Sequence, residues 1–125
     1  MIDKKGMIKM IIGTINMIAE PMKGFLTYQH NKMYEYYINF LEFVSVDLFD
    51  DCSIEDLMKK ELPEWGIQAK TLQLLSAFLQ DMEAFSDKHD KSDDFTLLRD
   101  DYWDTFVIKA QQCVKLLERD LKQLK

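Results

Sequence analysis

The sequence predicts an all-α fold, a single-domain helical bundle of about five helices. Apolar residues recur three and four positions apart in several long segments, which is the spacing of amphipathic helices. The 125-residue chain has only 4 Gly and 2 Pro, and 47% of its residues are hydrophobic, a composition that favours long helices over many short strands. A chain of this length can bury roughly two thirds of its unfolded surface. Residues 1–125 are therefore expected to form one domain.

The stretch from Trp65 to Phe85 is predicted to be the central helix of the bundle, near residues 64–86. At 100° per residue its apolar positions fall within one broad arc. These positions are Ile67, Leu74, Leu75, Phe78, Leu79, Met82 and Phe85. A single neighbouring helix shields only part of so wide a stripe. We therefore expect this helix to contact more than one neighbour.

Two further helices are predicted before it. The first spans the start of the chain, where isoleucines recur at helical spacing at positions 8, 11, 12, 15 and 18, and it ends or kinks at Glu20-Pro21. Strand is the competing prediction for this Ile-rich segment, but the period does not fit it. The second long helix is predicted from about Thr27 to Phe49.

The remaining helices follow from capping and proline signals. Ser53 is placed to cap a short helix from Ile54 to about Glu61, which Pro63 would stop while opening the central helix. The polar run SDKHDKSDDF after the central helix predicts a linker. Ser92, Asp93 or Asp94 is expected to cap the last helix, from about Thr96 to Leu124.

Charge is unevenly distributed along the chain. Residues 1–46 carry a net charge of +1, residues 47–104 a net charge of −10 and residues 105–125 a net charge of +3. Nucleic acid is a poor candidate partner because phosphate binding needs a basic face. A basic protein partner fits the negative middle segment, and solvation of an ordinary surface is the alternative explanation.

Known catalytic and metal-binding patterns do not match this sequence. His30 and His89 lack the Glu-x-x-His spacing of di-iron bundles, and the acidic run near residue 90 lacks the Gly and Glu of a calcium loop. Phosphate-binding and nucleophile motifs are likewise missing, so we expect no enzyme activity and no cofactor. The two cysteines, Cys52 and Cys113, favour a reduced, cytoplasmic setting, and the N-terminal apolar run is too short to span a membrane.

The stretch DDFTLLRDDYWDTFVIKAQQCVKLLERDL resembles the C-terminal helix of some helical bacterial immunity proteins. The size and acidity of the chain also resemble that group of proteins. The resemblance covers roughly the last third of the chain. It implies a cytoplasmic protein that binds and neutralises a cognate toxin of the producing bacterium, here one with a basic, nuclease-type surface.

Partner-binding residues are predicted in and after the polar run. An acidic surface with two apolar anchors would capture the basic toxin; its members are Asp87, Asp90, Asp93, Asp94, Asp100, Asp101, Tyr102, Asp104 and Ile108. Joint replacement of five of these acids, at positions 93, 94, 100, 101 and 104, is expected to weaken binding without disturbing the fold. The alternative function is a helical adaptor or oligomerisation module that uses the Tyr/Phe-rich face of residues 33–44. The oligomeric state is not predicted.

Overall fold

The computed structural model describes residues 3–32 and 34–124, and over these residues the all-α prediction is confirmed. The described residues form eight α-helices and no strand. Five of the helices have seven or more residues. The helices are α1 (Lys4–Ala19), α2 (Pro21–Gln29), α3 (Phe40–Val46), α4 (Ile54–Lys59), α5 (Glu61–Trp65), α6 (Ala69–Lys88), α7 (Asp94–Leu98) and α8 (Trp103–Gln123).

The first helix forms as its isoleucine spacing predicts. Asp3 caps it by accepting a hydrogen bond from the Gly6 backbone N–H at 2.6 Å. Its isoleucines at 8, 11, 15 and 18 are fully buried. The helix ends at Ala19, and α2 begins with Pro21, whose fixed φ suits the first position of a helix.

The prediction of one helix from Thr27 to Phe49 is wrong. Helix α2 ends at Gln29, a short 3₁₀ turn spans Tyr34–Tyr36, and α3 begins only at Phe40. Asn39 has an extended backbone, and its side chain accepts from the Glu42 N–H, so it starts a new helix. The aromatic periodicity survives the break because Tyr28 and Phe40 still meet, with ring centroids 5.7 Å apart.

Two boundaries around the short helices also differ from the prediction. Helix α4 begins at Ile54 as expected, but Ser53 has a left-handed backbone and its side chain makes no capping hydrogen bond. Pro63 lies in the first turn of α5 rather than at the start of the central helix. Gly66 ends α5 with φ of 105°, a conformation that favours glycine, and α6 begins three residues later.

The last helix is shorter than predicted. Asp93 accepts from the Thr96 N–H at 2.8 Å and so caps α7, which ends at Leu98. The chain then turns through residues 99–102, and α8 starts at Trp103. The buried residues of α8 recur at helical spacing, at positions 103, 106, 110, 114 and 117. Ile108, predicted to bind a partner, is 54% exposed.

Helix α6 occupies most of the predicted central segment, packing against α8 and α3. The most extensive helix pair, however, is α1 with α8, and α1 also contacts α2, α3 and the π-helical turn at Asp47–Asp51 that continues α3. The centre of the bundle is thus shared between α6 and α1. The reason is that α1 buries seven of its sixteen residues, including four isoleucines with no exposed surface. Within the described residues, no helix has the length and apolar character needed to span a membrane.

Candidate functional site

A buried polar network lies where the α6–α7 loop meets the α7–α8 turn. His89 at the end of α6 is 5% exposed. Its ring nitrogens contact Ser92 Oγ at 2.8 Å through Nδ1 and Asp100 Oδ2 at 2.7 Å through Nε2. When Nε2 carries the proton, it donates to Asp100 and Nδ1 accepts from the Ser92 hydroxyl. The network therefore joins two loops that lie eleven residues apart in sequence.

Asn39 connects the same loop to the start of α3 by hydrogen bonds. Its side-chain amide donates to the backbone carbonyls of His89 at 2.9 Å and Ser92 at 3.0 Å, and Asn39 is only 3% exposed. Beside it, Asp94 Oδ1 accepts from the Phe40 N–H at 2.6 Å. Burial raises the pKa of Asp94, and the hydrogen bond from Phe40 partly offsets that rise. We call Asn39, His89, Ser92 and Asp100 the polar network.

The network has the connectivity of a serine nucleophile, a histidine base and an orienting carboxylate. A nucleophile also needs an open approach for its substrate. The cleft of about 200 Å³ beside the network does not include Ser92 in its lining, which consists of Ile38, Asn39, Glu42, Ser86, His89 and Asp90. The Asp100 carboxylate also forms a salt bridge with Lys88 and accepts a hydrogen bond from the Tyr102 N–H. We assign this network a structural role, the joining of α3, α6 and α8.

The pH dependence of stability should report on Asp100. The Lys88 ammonium at 2.7 Å, the Tyr102 N–H and His89 hold its pKa well below the ordinary range. A depressed folded-state pKa stabilises the fold at pH values above the unfolded-state value of about 3.9, and this stabilisation is lost as pH falls. Asp100→Asn should lower the free energy of unfolding by about 2 kcal/mol at pH 7. Thermal unfolding should show this deficit shrinking from about pH 5 downward.

The neighbouring residue supplies the control for this pH experiment. Asp101 is exposed, and its carboxylate makes no hydrogen bond or ion pair with any described residue. Asp101→Asn should therefore leave the unfolding midpoint nearly unchanged across the same pH range. A deficit in Asp100→Asn that stayed constant down to pH 3 would contradict the assigned role of the Asp100 carboxylate.

Tyr102, predicted as an apolar anchor for a partner, is engaged within the fold. Its hydroxyl donates to Asp81 Oδ2 at 2.7 Å and accepts from Lys109 Nζ at 2.7 Å, and its ring meets the edge of Phe85. Burial raises the pKa of Asp81, but the hydrogen bonds from Lys109 and Tyr102 outweigh it and lower that pKa overall. The same contact with Asp81 raises the pKa of Lys109 to about 12. Tyr102 thus links α6 to α8, and its ring is only partly exposed.

The structure separates the predicted acidic residues into two groups. Asp93 caps α7, Asp94 holds Phe40, and Asp100 belongs to the polar network. The joint replacement of the acids at positions 93, 94, 100, 101 and 104 would therefore disturb the fold, contrary to the expectation from the sequence. The remaining four carboxylates are exposed and form no side-chain hydrogen bond or ion pair within the described part of the chain. We call these four the acidic flank: Asp87, Asp90, Asp101 and Asp104.

All four residues of the acidic flank lie within four positions of His89 or Asp100 in the sequence. Asp87 lies in the last turn of α6 and Asp90 in the loop that follows, and Asp101 directly follows the Asp100 that Lys88 and His89 both contact. Asp104 lies in the first turn of α8, and the exposed Ile108 follows it one turn later. The hydrogen bonds of the network fix the loop with Asp90 and the turn with Asp101, and the two helices fix Asp87 and Asp104, so the negative charges are held in defined positions.

The aromatic face predicted at residues 33–44 lies mostly in the core. Phe40, Leu41 and Val44 have no exposed surface. Among the described side chains of this segment, Tyr36 and Ile38 are 75% and 52% exposed and could serve a partner. Met33 and the Tyr34 side chain lie outside what the structure describes. The buried residues Phe40, Leu41 and Val44 are not accessible to a partner.

Both cysteine thiols are buried, and neither contacts a histidine. Cys113 donates to the Leu74 carbonyl, and burial raises its pKa to about 12. Burial also raises the pKa of Cys52, which lies next to Thr14 in the core. In the described ranges, no group of three or more His, Cys, Asp or Glu side chains could hold a metal ion.

Sequence reasoning missed the polar network because its bonds are long-range. The residues next to His89 in the sequence exclude a di-iron ligand pattern but do not reveal its partners Asn39 and Asp100, which lie fifty and eleven residues away. The one local signal is a histidine within a polar run that joins two apolar helices. No family model matches the chain, and neither a curated protein nor a solved structure matches it.

Proposed function

We propose that this protein binds and neutralises a basic protein partner, in the manner of a bacterial immunity protein acting on a cognate toxin. The observation that carries the proposal is the acidic flank, four exposed carboxylates without side-chain partners among the described residues. Asp87 and Asp104 lie at the ends of α6 and α8, and Asp90 and Asp101 lie on the loop and the turn that buried hydrogen bonds hold in place. Fixed negative charge accelerates encounter with a basic surface and can occupy a site built for phosphate. Ile108 beside Asp104 supplies an apolar contact.

The acidic flank should be required for capture of the partner. Replacement of all four of its aspartates by asparagine removes charge while breaking no described side-chain bond, so the fold should persist. We expect the affinity for the partner to fall about tenfold or more, mainly through slower association, and the loss to shrink at high salt. The partner would be captured from lysate of the producing cells and then titrated in purified form, with its activity measured in parallel.

A variant with the same change in net charge serves as the matched control. Glu55, Asp56, Glu64 and Glu83 are exposed acids outside the flank, without a side-chain hydrogen bond or ion pair in the described residues. Their replacement by the corresponding amides should leave affinity within about twofold. If both variants lost affinity for the partner equally, the flank would act only through the net charge of the protein. Unchanged affinity in the flank variant would refute the proposal.

The second candidate function is a helical adaptor or oligomerisation module. It is supported by the exposure of Tyr36 and Ile38 next to the buried aromatic cluster of α3. Aromatic packing depends little on ionic strength, whereas electrostatic capture loses association rate as salt rises. An association rate that is independent of salt, together with loss of binding in Tyr36→Ala, would favour the adaptor over the inhibitor.

A further inference from the structure

An apolar groove of about 440 Å³ lies between α2 and the α7–α8 turn. None of its lining residues belongs to the acidic flank or to the aromatic face of residues 33–44. All of its lining residues are apolar: Pro21, Met22, Phe25, Leu26, Leu98 and Trp103. Such a lining offers no polar group to orient a small polar ligand, so the groove is suited to apolar side chains.

The groove is bordered by large apolar side chains that the fold leaves exposed. Met22 and Leu26 lie one turn apart on α2 and are 84% and 56% exposed. Across the groove Leu98 is 37% exposed. Phe95, one turn earlier on α7 and outside the lining, is 67% exposed, with Arg99 lying over its ring. Single exposed apolar residues are ordinary, but a contiguous group around a groove marks an interaction surface.

The charges beside the groove indicate the chemistry of its occupant. Residues 94–104 supply one wall of the groove. Asp94 in this stretch accepts from the Phe40 N–H and Asp100 is paired with Lys88, which leaves Asp101 and Asp104 as its exposed carboxylates, while Arg99 lies over the Phe95 ring. On the other wall Lys23 is paired with Glu20 at 3.1 Å, so α2 contributes no net positive charge. Asp101 and Asp104, both unpaired, lie within two residues of Trp103. An anionic membrane or a second copy of this acidic chain would be repelled here, whereas cationic side chains would be attracted.

The size of the groove fits one face of a helix. Helix α2 has nine residues and is therefore about 13 Å long. A partner helix lying beside it can insert apolar side chains three or four residues apart, and residues flanking its apolar face then reach the rim. The thioether of Met22 can adjust to different shapes because the side chain is unbranched and flexible.

We propose that the groove receives an amphipathic helix of the partner protein, with apolar side chains between α2 and α7 and with Lys or Arg facing Asp101 and Asp104. This inference rests on the proposed function, because it takes the partner to be a basic protein. It adds a second contact to the acidic flank, with Asp101 and Asp104 shared by both. Binding would then combine electrostatic capture with apolar packing.

The test uses a short synthetic helical peptide of leucine and lysine, with leucines three and four residues apart. Titration of the full chain with this peptide, followed by NMR shift mapping, should place the largest changes at Met22, Leu26, Leu98 and Trp103. Met22→Gln with Leu26→Gln should weaken peptide binding about tenfold or more, since both apolar contacts are removed. Met10→Gln is the matched control, because Met10 is 43% exposed on α1 and outside the groove, and it should bind like the native chain.

Several results would overturn the inference. Equal binding of a scrambled peptide of the same composition would show that charge alone attracts it. Binding of neutral phosphatidylcholine vesicles, or a concentration-dependent dimer abolished by the groove variant, would assign the surface to lipid or to a second copy. If the groove variant keeps native affinity for the captured partner while the acidic-flank variant loses it, the groove inference fails and the proposed function stands. If only the groove variant loses the partner, the proposed electrostatic capture fails.

Discussion

Gly24→Ala should destabilise the protein by about 3 kcal/mol, enough to lower the unfolding midpoint by about 10 °C. Gly24 is buried where α2 turns back against α1. A Cβ at this position would lie 2.7 Å from the Met17 Cα and still closer to the Met17 carbonyl oxygen. These are backbone atoms, so no side-chain rotation relieves the clash, and the two helices must separate. Thermal unfolding monitored by circular dichroism measures the change.

The other helical glycine near this contact should respond in the opposite direction. Gly13 lies in the middle of α1, and a Cβ built there meets no heavy atom within 4 Å. Gly13→Ala should therefore raise the free energy of unfolding by about 0.5–1 kcal/mol, because alanine loses less backbone entropy in a helix. If both substitutions shifted the midpoint in the same direction, the close approach of α2 to Met17 would be contradicted.

Helices whose formation and ends depend on residues nearby in the chain could be predicted from the sequence. The isoleucine spacing of α1 and the stop at Pro21 each depend on neighbouring residues, so the pattern contains the information. Helix α6 begins later than predicted because Pro63 lies within α5, and Gly66, with its positive φ, ends that helix before α6 starts. The breaks before Phe40 and before Trp103 depend on Asn39 and Asp100, whose partners lie in distant segments. Periodicity alone does not register such contacts.

The same distinction limits what could be predicted of the acidic surface. The sequence places the aspartates near residues 87–104, and this concentration of charge is real. Which carboxylates cap helices or hold buried donors depends on the fold, and Asp94 meets Phe40 across fifty-four residues. The apolar groove was missed for a related reason. Met22 and Trp103 lie on separate helices eighty-one residues apart, and only the packing of α2 beside the α7–α8 turn leaves a gap between them.

The polar network connects stability to the proposed binding surface. It holds the end of α6 and the loop that carries Asp90 against the turn that carries Asp101. A charged surface binds well only if its geometry is set before the partner arrives, because ordering the loops on binding costs free energy. The buried bonds of Asn39 and His89 therefore serve the acidic flank indirectly. Loosening the network should reduce both the stability of the fold and the definition of that surface.

Asn39→Ala should destabilise the protein by about 3 kcal/mol, the second large effect that we expect. The change removes the cap of α3 and the two amide donors, leaving the buried carbonyls of His89 and Ser92 without them. Hydrogen exchange should accelerate in residues 89–93, and the unfolding midpoint should fall by about 10 °C.

Asn39→Ser separates the loss of the α3 cap from the loss of the two amide donors. The serine hydroxyl can accept from the Glu42 N–H and so retain the cap, but it cannot donate to both carbonyls. We expect a midpoint between those of the native chain and the alanine variant, with residues 89–93 still exchanging faster than in the native chain. Exposed Gln112 on α8 gives the control, since Gln112→Ala should change neither measurement. A loss below about 1 kcal/mol in Asn39→Ala would mean that the loop is held by other contacts, and the link from the buried network to the acidic flank would fail.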